Sequence, residues 1–343
     1  MSAPLLDELR RIVAAVDALG PTGFRFGGRS FQAPPQPPGA PPRAAGAPPP
    51  VVELLQNTFY QYCYVRRFAG AALDPPYAPR PDDDLVPLLS RANPTRERWE
   101  QGWEIAQILA SGQVIARLHG RTRFLWPGEF LSRDGPGMQP RPGMRVSVHA
   151  PRESATMQPG FYFAFGESPF DQGDELDLVR LYWHVDDAGA PALLRHLAGA
   201  LNRYGVPFRF KTLSLRSAYV RADPAVLYVS HRYFRITAEL ALEGVIPRVA
   251  AHLSPETPLF TRALAPGLAL AEDPDTGESF GMARCRVLAE GVWQAHTAGL
   301  RTPEERMRAV AAHFAAAGVD LERPWLNPGS IDRYDPARAP AAA

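Results

Sequence analysis

Lys211 is the only lysine in the chain; every other one of its 37 basic residues is arginine. An arginine keeps its proton in any protein setting, whereas a lysine amine that is buried or crowded by cations can act as a base. The plain alternative is that one lysine survived a drift toward arginine by chance. Side chains alternate between the two faces of a strand. If 207–213 is a strand, Arg209 and Lys211 share a face opposite Phe208 and Phe210. If 178–185 is a strand, Arg180, Tyr182 and His184 share a face opposite Leu181, Trp183 and Val185. Were the two neighbours, one sheet face would gather two Arg, one Lys, one Tyr and one His. That many cations repel one another unless an anion sits among them, and the crowding favours the neutral amine that a lysine base requires. The competing possibility is an ordinary solvated face, on which Arg and Tyr need no explanation.

A second constellation lies in EDPDTGESFGMARCR, 272–286. Gly277, Ser279 and Gly281 lead into a helix that carries Arg284 and Arg286. A Gly-Ser turn before a helix offers free N–H groups at the positive end of the helix dipole, which suits phosphate or carboxylate. Ser279 fits equally well as a plain N-cap. Arg262 is a further candidate cation. HExxH, paired Cys/His spacings, GxSxG, GxGxxG and the Walker loop are all missing, so no residue pattern calls for a metal, flavin or nucleotide, and the expected cofactor set is none.

The elements that must position these residues are legible from periodicity. Leu5, Leu6, Leu9, Ile12, Val13, Val16 and Leu19 predict an amphipathic helix over 4–19, stopped by Gly20 and Pro21. The stretch 34–50 is too proline-rich for helix or central strand and is expected to be a mobile loop. A second helix is expected over 51–68, followed by a Pro- and Asp-rich loop over 75–85. A third is expected over 93–112, with Asn93 as cap, Pro94 in the first turn and Glu97 answering the cap. Then the period changes. A hairpin about Gly120 and strands at 144–150 and 160–166 lead into a strand at 178–185, a helix at 188–204, and strands at 207–213 and 225–230. A long helix over 233–253, a Pro- and Gly-rich loop over 254–281 and helices at 280–297 and 303–317 complete the chain. The expected class is α+β, with a mixed, largely antiparallel sheet packed with helices and a helical N-terminal portion. The expected domains are a helical region 1–110, an α+β domain 111–330 and a flexible tail 331–343.

Composition narrows the function. The apolar fraction is 45% and the formal net charge is +1, which supplies a core and argues against a general nucleic-acid or membrane-surface binder. Cys63 and Cys285 are too few for a disulfide framework or a zinc set, so a reducing cytoplasm is the expected location. The N-terminus does not resemble a signal peptide, and no run of about 18 apolar residues predicts a membrane span.

The run LVRLYWHV, LNRYGVPFRFKTL, RADPAVLYVS, TPLFTRALAPGLALAEDPDTGESFGMARCR resembles the C-terminal half of the HopA-type effector family over roughly 175–320. That family includes type III secreted effectors and enzymes of class V lanthipeptide and thioamitide biosynthesis. In the biosynthetic members, a separate kinase phosphorylates Ser or Thr of a precursor peptide, and the HopA-type protein expels phosphate to leave dehydroalanine or dehydrobutyrine. The resemblance therefore implies a phosphoserine/phosphothreonine lyase, a carbon–oxygen lyase acting on phosphates. Its implied partners are the phosphorylated precursor, the Ser/Thr kinase and, as a further candidate, a cyclase, with no nucleic acid and no membrane. Elimination needs a base for the Cα proton, cations for the departing phosphate and an acid for the leaving oxygen. On that assignment Lys211 is the base. Arg180, Arg209, Arg284 and Arg286, with the N–H groups around Ser279 and with Arg262 as an added cation, hold phosphate. Tyr182, His184 or His231 supplies the acid. Two other readings stand beside it: a non-catalytic phosphopeptide- or leader-binding scaffold for the kinase, akin to an effector, and a transferase acting on a small phosphorylated substrate.

Overall fold

The computed structural model describes residues 3–35, 39, 48–70, 73, 78, 80–132, 135, 137–274 and 277–335. Most of the 34–50 loop and part of the 75–85 loop lie outside them, as do Asp275, Thr276 and residues 336–343.

The first helix, α1 (Ala3–Ala14), ends earlier than its apolar stripe suggests, because Val16 already belongs to a strand. Strands β1 (Val16–Gly20), β2 (Gly23–Phe26) and β3 (Arg29–Gln32) form an antiparallel meander. The N-terminal portion is thus helical only in part. Helix α2 (Pro50–Phe59) runs into a π-helical turn at Tyr60–Tyr64, and α3 (Val86–Ala92) follows.

The helix expected over 93–112 is instead strand β4 (Arg98–Ile108). Asn93 does not cap a helix there; it is the C-cap of α3, and its amide donates to Tyr162 Oη at 3.1 Å and to the Arg152 carbonyl at 3.1 Å. Gly102 has φ +87°, which a helix does not tolerate. With β5 (Val114–Leu118), β6 (Arg121–Leu125), β7 (Phe130–Ser132) and β8 (Arg145–Ala150), β4 builds a five-stranded antiparallel sheet ordered β6-β5-β4-β8-β7. The 110/111 division falls between β4 and β5, two paired strands of this one sheet. Its core is Trp103, Ile105, Val114, Ala116, Leu125, Met144, Val146 and Val148.

The main sheet has seven strands: β9 (Glu153–Ser154), β10 (Phe161–Phe165), β11 (Leu178–Trp183), β12 (Arg209–Leu213), β13 (Ala225–Ser230), β14 (Arg262–Ala265) and β15 (Leu268–Glu272). Their order is β14-β15-β11-β13-β12-β10-β9 and every pairing is antiparallel. The expected 254–281 loop therefore contains two strands, one of them next to β11. β15 is buried at all five positions, a short apolar run without alternation.

Helices cover both faces. On one, Leu181, Trp183, Phe210, Leu227, Val229 and Leu270 pack beneath α5 (Ala190–Arg203), which turns Leu193, Leu194, Leu197 and Leu201 inward, and α6 (Phe234–Glu239). Each such aliphatic side chain contributes about 1.5–3 kcal/mol by leaving water. The expected helix over 233–253 is interrupted after α6 by a π-helical stretch, Leu240–Val245, before α7 (Ile246–Val249). On the other face Tyr182, Val226, Tyr228 and Ala271 meet Tyr64 of the π-helical turn and Phe280 of helix α8 (Phe280–Thr297). Helix α9 (Pro303–Ala316), which opens with a Thr302/Glu305 capping box, packs on α8.

The 331–343 segment is not a free tail throughout. Tyr334 is buried and donates from Oη to Glu272 at 2.8 Å, and Asp332 and Asp335 pair with Arg262.

Candidate functional site

The strands bearing the basic residues are not neighbours. β13 lies between β11 and β12, and the register makes Tyr228 the partner of both Arg180 and Arg209, while Val226 is the partner of both Tyr182 and Lys211. All six side chains therefore face the same way, as the alternation of β11 and β12 predicts. The guanidinium carbons of Arg180 and Arg209 lie 5.2 and 5.0 Å from the centre of the Tyr228 ring. Lys211 Nζ is 5.8 Å from that ring and 4.7 Å from Phe161 on β10. An aromatic face carries negative potential, so it lets three cations approach without three carboxylates between them.

Burial is graded across the cluster. Arg180 and Tyr182 lie under the π-helical turn and α8, whereas Arg209 and Lys211 are half-buried where that cover ends. Arg180 forms an ion pair with Asp273, just after β15. Burial opposes its charge, but Tyr182, Tyr228 and the Asp273 carboxylate outweigh it and push its pKa up. Among the described residues Arg209 and Lys211 have no carboxylate partner, so both side chains remain available to an incoming group. The Tyr182 phenol is fully buried, with Tyr64 and Arg180 as its polar neighbours. Burial is the largest influence and pushes its pKa up, against the pull of Arg180. A phenol so placed keeps its proton and serves as a donor, not a base.

Of the other expected site residues, Arg284 stacks on Phe280 behind Tyr182, and the rest make their contacts elsewhere. His184 follows the end of β11 and places Nδ1 3.0 Å from the Glu256 carbonyl. His231 follows β13 and meets the Tyr334 ring edge-on at 5.1 Å, on the α5/α6 side of the sheet. Arg262 pairs in register with Leu270, which faces that same side, and stacks over Trp325. Ser279 is an N-cap accepting from the Met282 N–H at 3.3 Å. Arg284 is buried, with Nε and an Nη given to the Pro324 and Leu326 carbonyls. Burial lowers its pKa to about 10, against Glu272, which raises it. Arg286 pairs with Glu278 and Glu290. Arg284 and Arg286 are thus already engaged by carbonyls and carboxylates.

Sequence reasoning missed Tyr228 and Asp273. Alternation in AVLYVS does put Val226 and Tyr228 on one face, but only the strand order reveals that this face lies between the cations.

Two cavities flank the cluster. One, of about 680 Å³, is bounded by Arg209, Phe165, Phe170 and Met157 on one side and by Trp103 and Arg121 of the five-stranded sheet on the other. A smaller one, of about 400 Å³, is lined by Asp273, Leu178 and Gly277. Glu175 of α4 (Gln172–Leu176) borders both.

Among known proteins, the model of the HopA1 effector protein family matches residues 152–326, which include the whole seven-stranded sheet. Of the solved structures, an effector protein from Pseudomonas syringae pv. tomato strain DC3000 is 22% identical with a TM-score of 0.36, and the match covers 49% of this chain and 62% of that one. An effector protein from Pseudomonas syringae pv. syringae strain 61 is 18% identical with a TM-score of 0.36 and the same coverage of 49% and 62%. The chain thus spans less than two thirds of the length of either effector. No curated protein matches it.

Proposed function

Because the chain belongs to the HopA1 effector protein family, and because its one lysine stands beside two arginines on the sheet that the family match covers, we propose that it is a phosphoserine/phosphothreonine lyase. Its substrate is a phosphorylated ribosomal precursor peptide of lanthipeptide-type biosynthesis, supplied by a separate Ser/Thr kinase. The observation that carries this reading is the convergence of Arg180, Arg209 and Lys211 on the Tyr228 ring.

In the proposed step the Lys211 amine nitrogen takes the Cα proton of the phosphorylated residue. The Cα–H electron pair becomes the Cα=Cβ bond, the Cβ–O bond breaks, and the phosphate leaves with that bond's electrons. Arg209 and Arg180 meet the charge growing on the leaving oxygens, and the Tyr182 phenol on the same face is the donor for the leaving oxygen. A guanidinium binds phosphate through two parallel hydrogen bonds and cannot itself be a base, so the division of labour between Arg and Lys follows from their chemistry. The Arg180–Asp273 ion pair favours a second reading, in which the cluster only binds phosphate: a guanidinium already neutralised contributes less to turnover.

Mass spectrometry of a phosphothreonine peptide incubated with the protein separates the two. Loss of the mass of phosphoric acid, with a new thiol-reactive alkene, supports the lyase. Binding with unchanged mass supports the phosphopeptide scaffold and removes the lyase.

A further inference from the structure

The larger cavity opens onto the cation-bearing face of the main sheet. Ser154 pairs in register with Phe163, and Phe163 with Lys211. Phe165 pairs with Arg209. The face that carries the cations therefore continues outward through β12 and β10 to β9, and Arg209, Phe165 and Ser154 line the cavity. Successive residues on one face of a strand lie about 7 Å apart, so Lys211 stands one such step from Arg209, beyond the cavity wall. Across the cavity stands the five-stranded sheet, with Trp103, Arg98 and Arg121.

Its charges are largely spent on one another. Glu100 holds Arg98 at 2.8 Å and Arg121 at 3.3 Å. Arg232 holds Asp171 at 2.9 Å, Tyr162 donates to Glu153 at 2.7 Å, and Arg123 donates to the His149 carbonyl at 3.3 Å. Between these pairs the lining is apolar: Trp103, Phe165, Phe170, Phe208 and Met157. Among the described residues, Arg209 is the lining cation with neither a carboxylate nor a carbonyl partner. The cavity thus has an aromatic body, a Glu175 carboxylate with no cation partner among the described residues, and the unpaired Arg209 where it meets the basic cluster. Its outer boundary includes β9, the two-residue strand that ends the sheet.

The geometry points to this cleft, between the two sheets, as the binding groove for the peptide chain on either side of the phosphorylated residue. The occupant is an extended segment with uncharged or apolar flanks, whose phosphate is directed to Arg209. Three features fit that occupant. The volume of about 680 Å³ falls in the range of sites that enclose several side chains. The aromatic walls suit the apolar side chains of an extended segment. Arg209 at one end can accept an anionic group, whereas a nucleic acid would need a row of free cations and would meet the Glu175 carboxylate. This inference rests on the lyase reading for the identity of the phosphorylated residue, but not for the groove itself.

The test uses the full chain, a fluorescein-labelled peptide with a central phosphothreonine in an Ala–Leu background, and phosphothreonine capped at both ends as the minimal substrate. Met157→Glu and Phe170→Ser change the groove without touching any basic residue. Peptide affinity by fluorescence anisotropy, and kcat/KM on the peptide, are expected to fall about tenfold in both variants, mostly through KM, while turnover of the capped residue stays at the parent level. Equal kcat/KM of the parent on peptide and capped residue, or unchanged peptide affinity in both variants, overturns the groove and leaves the lyase intact. Peptide affinity lost in the variants with no elimination by the parent supports the groove and removes the lyase. To guard against a variant that misfolds, a benzophenone placed beside the phosphothreonine of the peptide is photocrosslinked to the parent protein. Adducts on the cavity wall, residues 98–123 and 150–175, support the groove; adducts confined elsewhere overturn it.

Discussion

Lys211 holds its Nζ 5.8 Å from the centre of the Tyr228 ring, the same ring that Arg180 and Arg209 approach at 5.2 and 5.0 Å. The lysine stands in register with Val226, two pairs along from that ring, so it reaches the cluster by its length. Replacing it separates charge from basicity. Lys211→Arg preserves a cation able to lie over Phe161 and Tyr228 but removes the only amine of the cluster. Phosphate release should drop by about 10²–10⁴-fold, the usual contribution of a positioned base, while phosphopeptide affinity is retained. Parent-rate release by Lys211→Arg in a phosphate assay would show that the amine is not the base.

Tyr228 should matter through its face. Tyr228→Leu keeps an apolar side chain in a buried strand but removes the quadrupole that tempers three neighbouring cations. A cation over an aromatic face is worth about 0.5–2 kcal/mol, so kcat/KM on a phosphopeptide should fall about tenfold or more. Tyr228→Phe keeps the face and should stay near the parent. Kinetics of the pair decide it: if Phe and Leu behave alike, the ring is only core.

These two residues also mark the limit of what the chain declares about itself. The alternation in 178–185 and 207–213 fixes which side chains share a face, because a strand admits only two directions. It does not say which strand lies between them, and Tyr228 became visible only once β13 was seen to separate β11 from β12. Arg262 was misplaced for the same reason, since the 254–281 stretch hides an edge strand that turns it to the α5/α6 side. Helices α5, α8 and α9 were readable from caps and apolar spacing. Strand β4 was not, because Asn93 and Pro94 imitate a helix start and the bulge between Glu100 and Trp103 breaks the alternation that would reveal a strand. The smallness of Gly281 carried information of a kind that no pattern exposes.

A Cβ on Gly281 would lie 2.4–2.6 Å from three atoms of the Tyr64 ring. The first turn of α8 can therefore meet the π-helical turn only with glycine at this position. Tyr64 in turn packs edge-on against Tyr182 at 6.5 Å, so the glycine supports the cover over Arg180. Gly281→Val should overpack this contact and cost about 1–3 kcal/mol, and Gly281→Ala less. Thermal unfolding should order the parent, Ala and Val in decreasing stability. A Val variant as stable as the parent would mean that the two turns separate freely.

Asp83 links the segment before α3 to the connection between β12 and β13. Its carboxylate accepts from the Ser217 N–H at 2.6 Å and from the Ser217 hydroxyl, and its carbonyl accepts from the Arg216 N–H at 2.9 Å. The hydroxyl first, and the N–H groups after it, hold the carboxyl below its ordinary value of 3.8, against the opposing effect of burial. A carboxylate whose folded pKa is depressed adds stability that is complete above the unfolded value and is lost as pH falls through the folded one. Asp83→Asn should therefore unfold at a lower temperature than the parent near neutral pH, and the gap should close as pH falls below about 4. Glu167, Asp171 and Glu305 are depressed too and titrate in both proteins, so the difference between the two melting curves isolates Asp83. A gap of constant size from neutral pH down to about pH 3 would show that the asparagine loses only shape, and that the charge of Asp83 does not hold the two segments together.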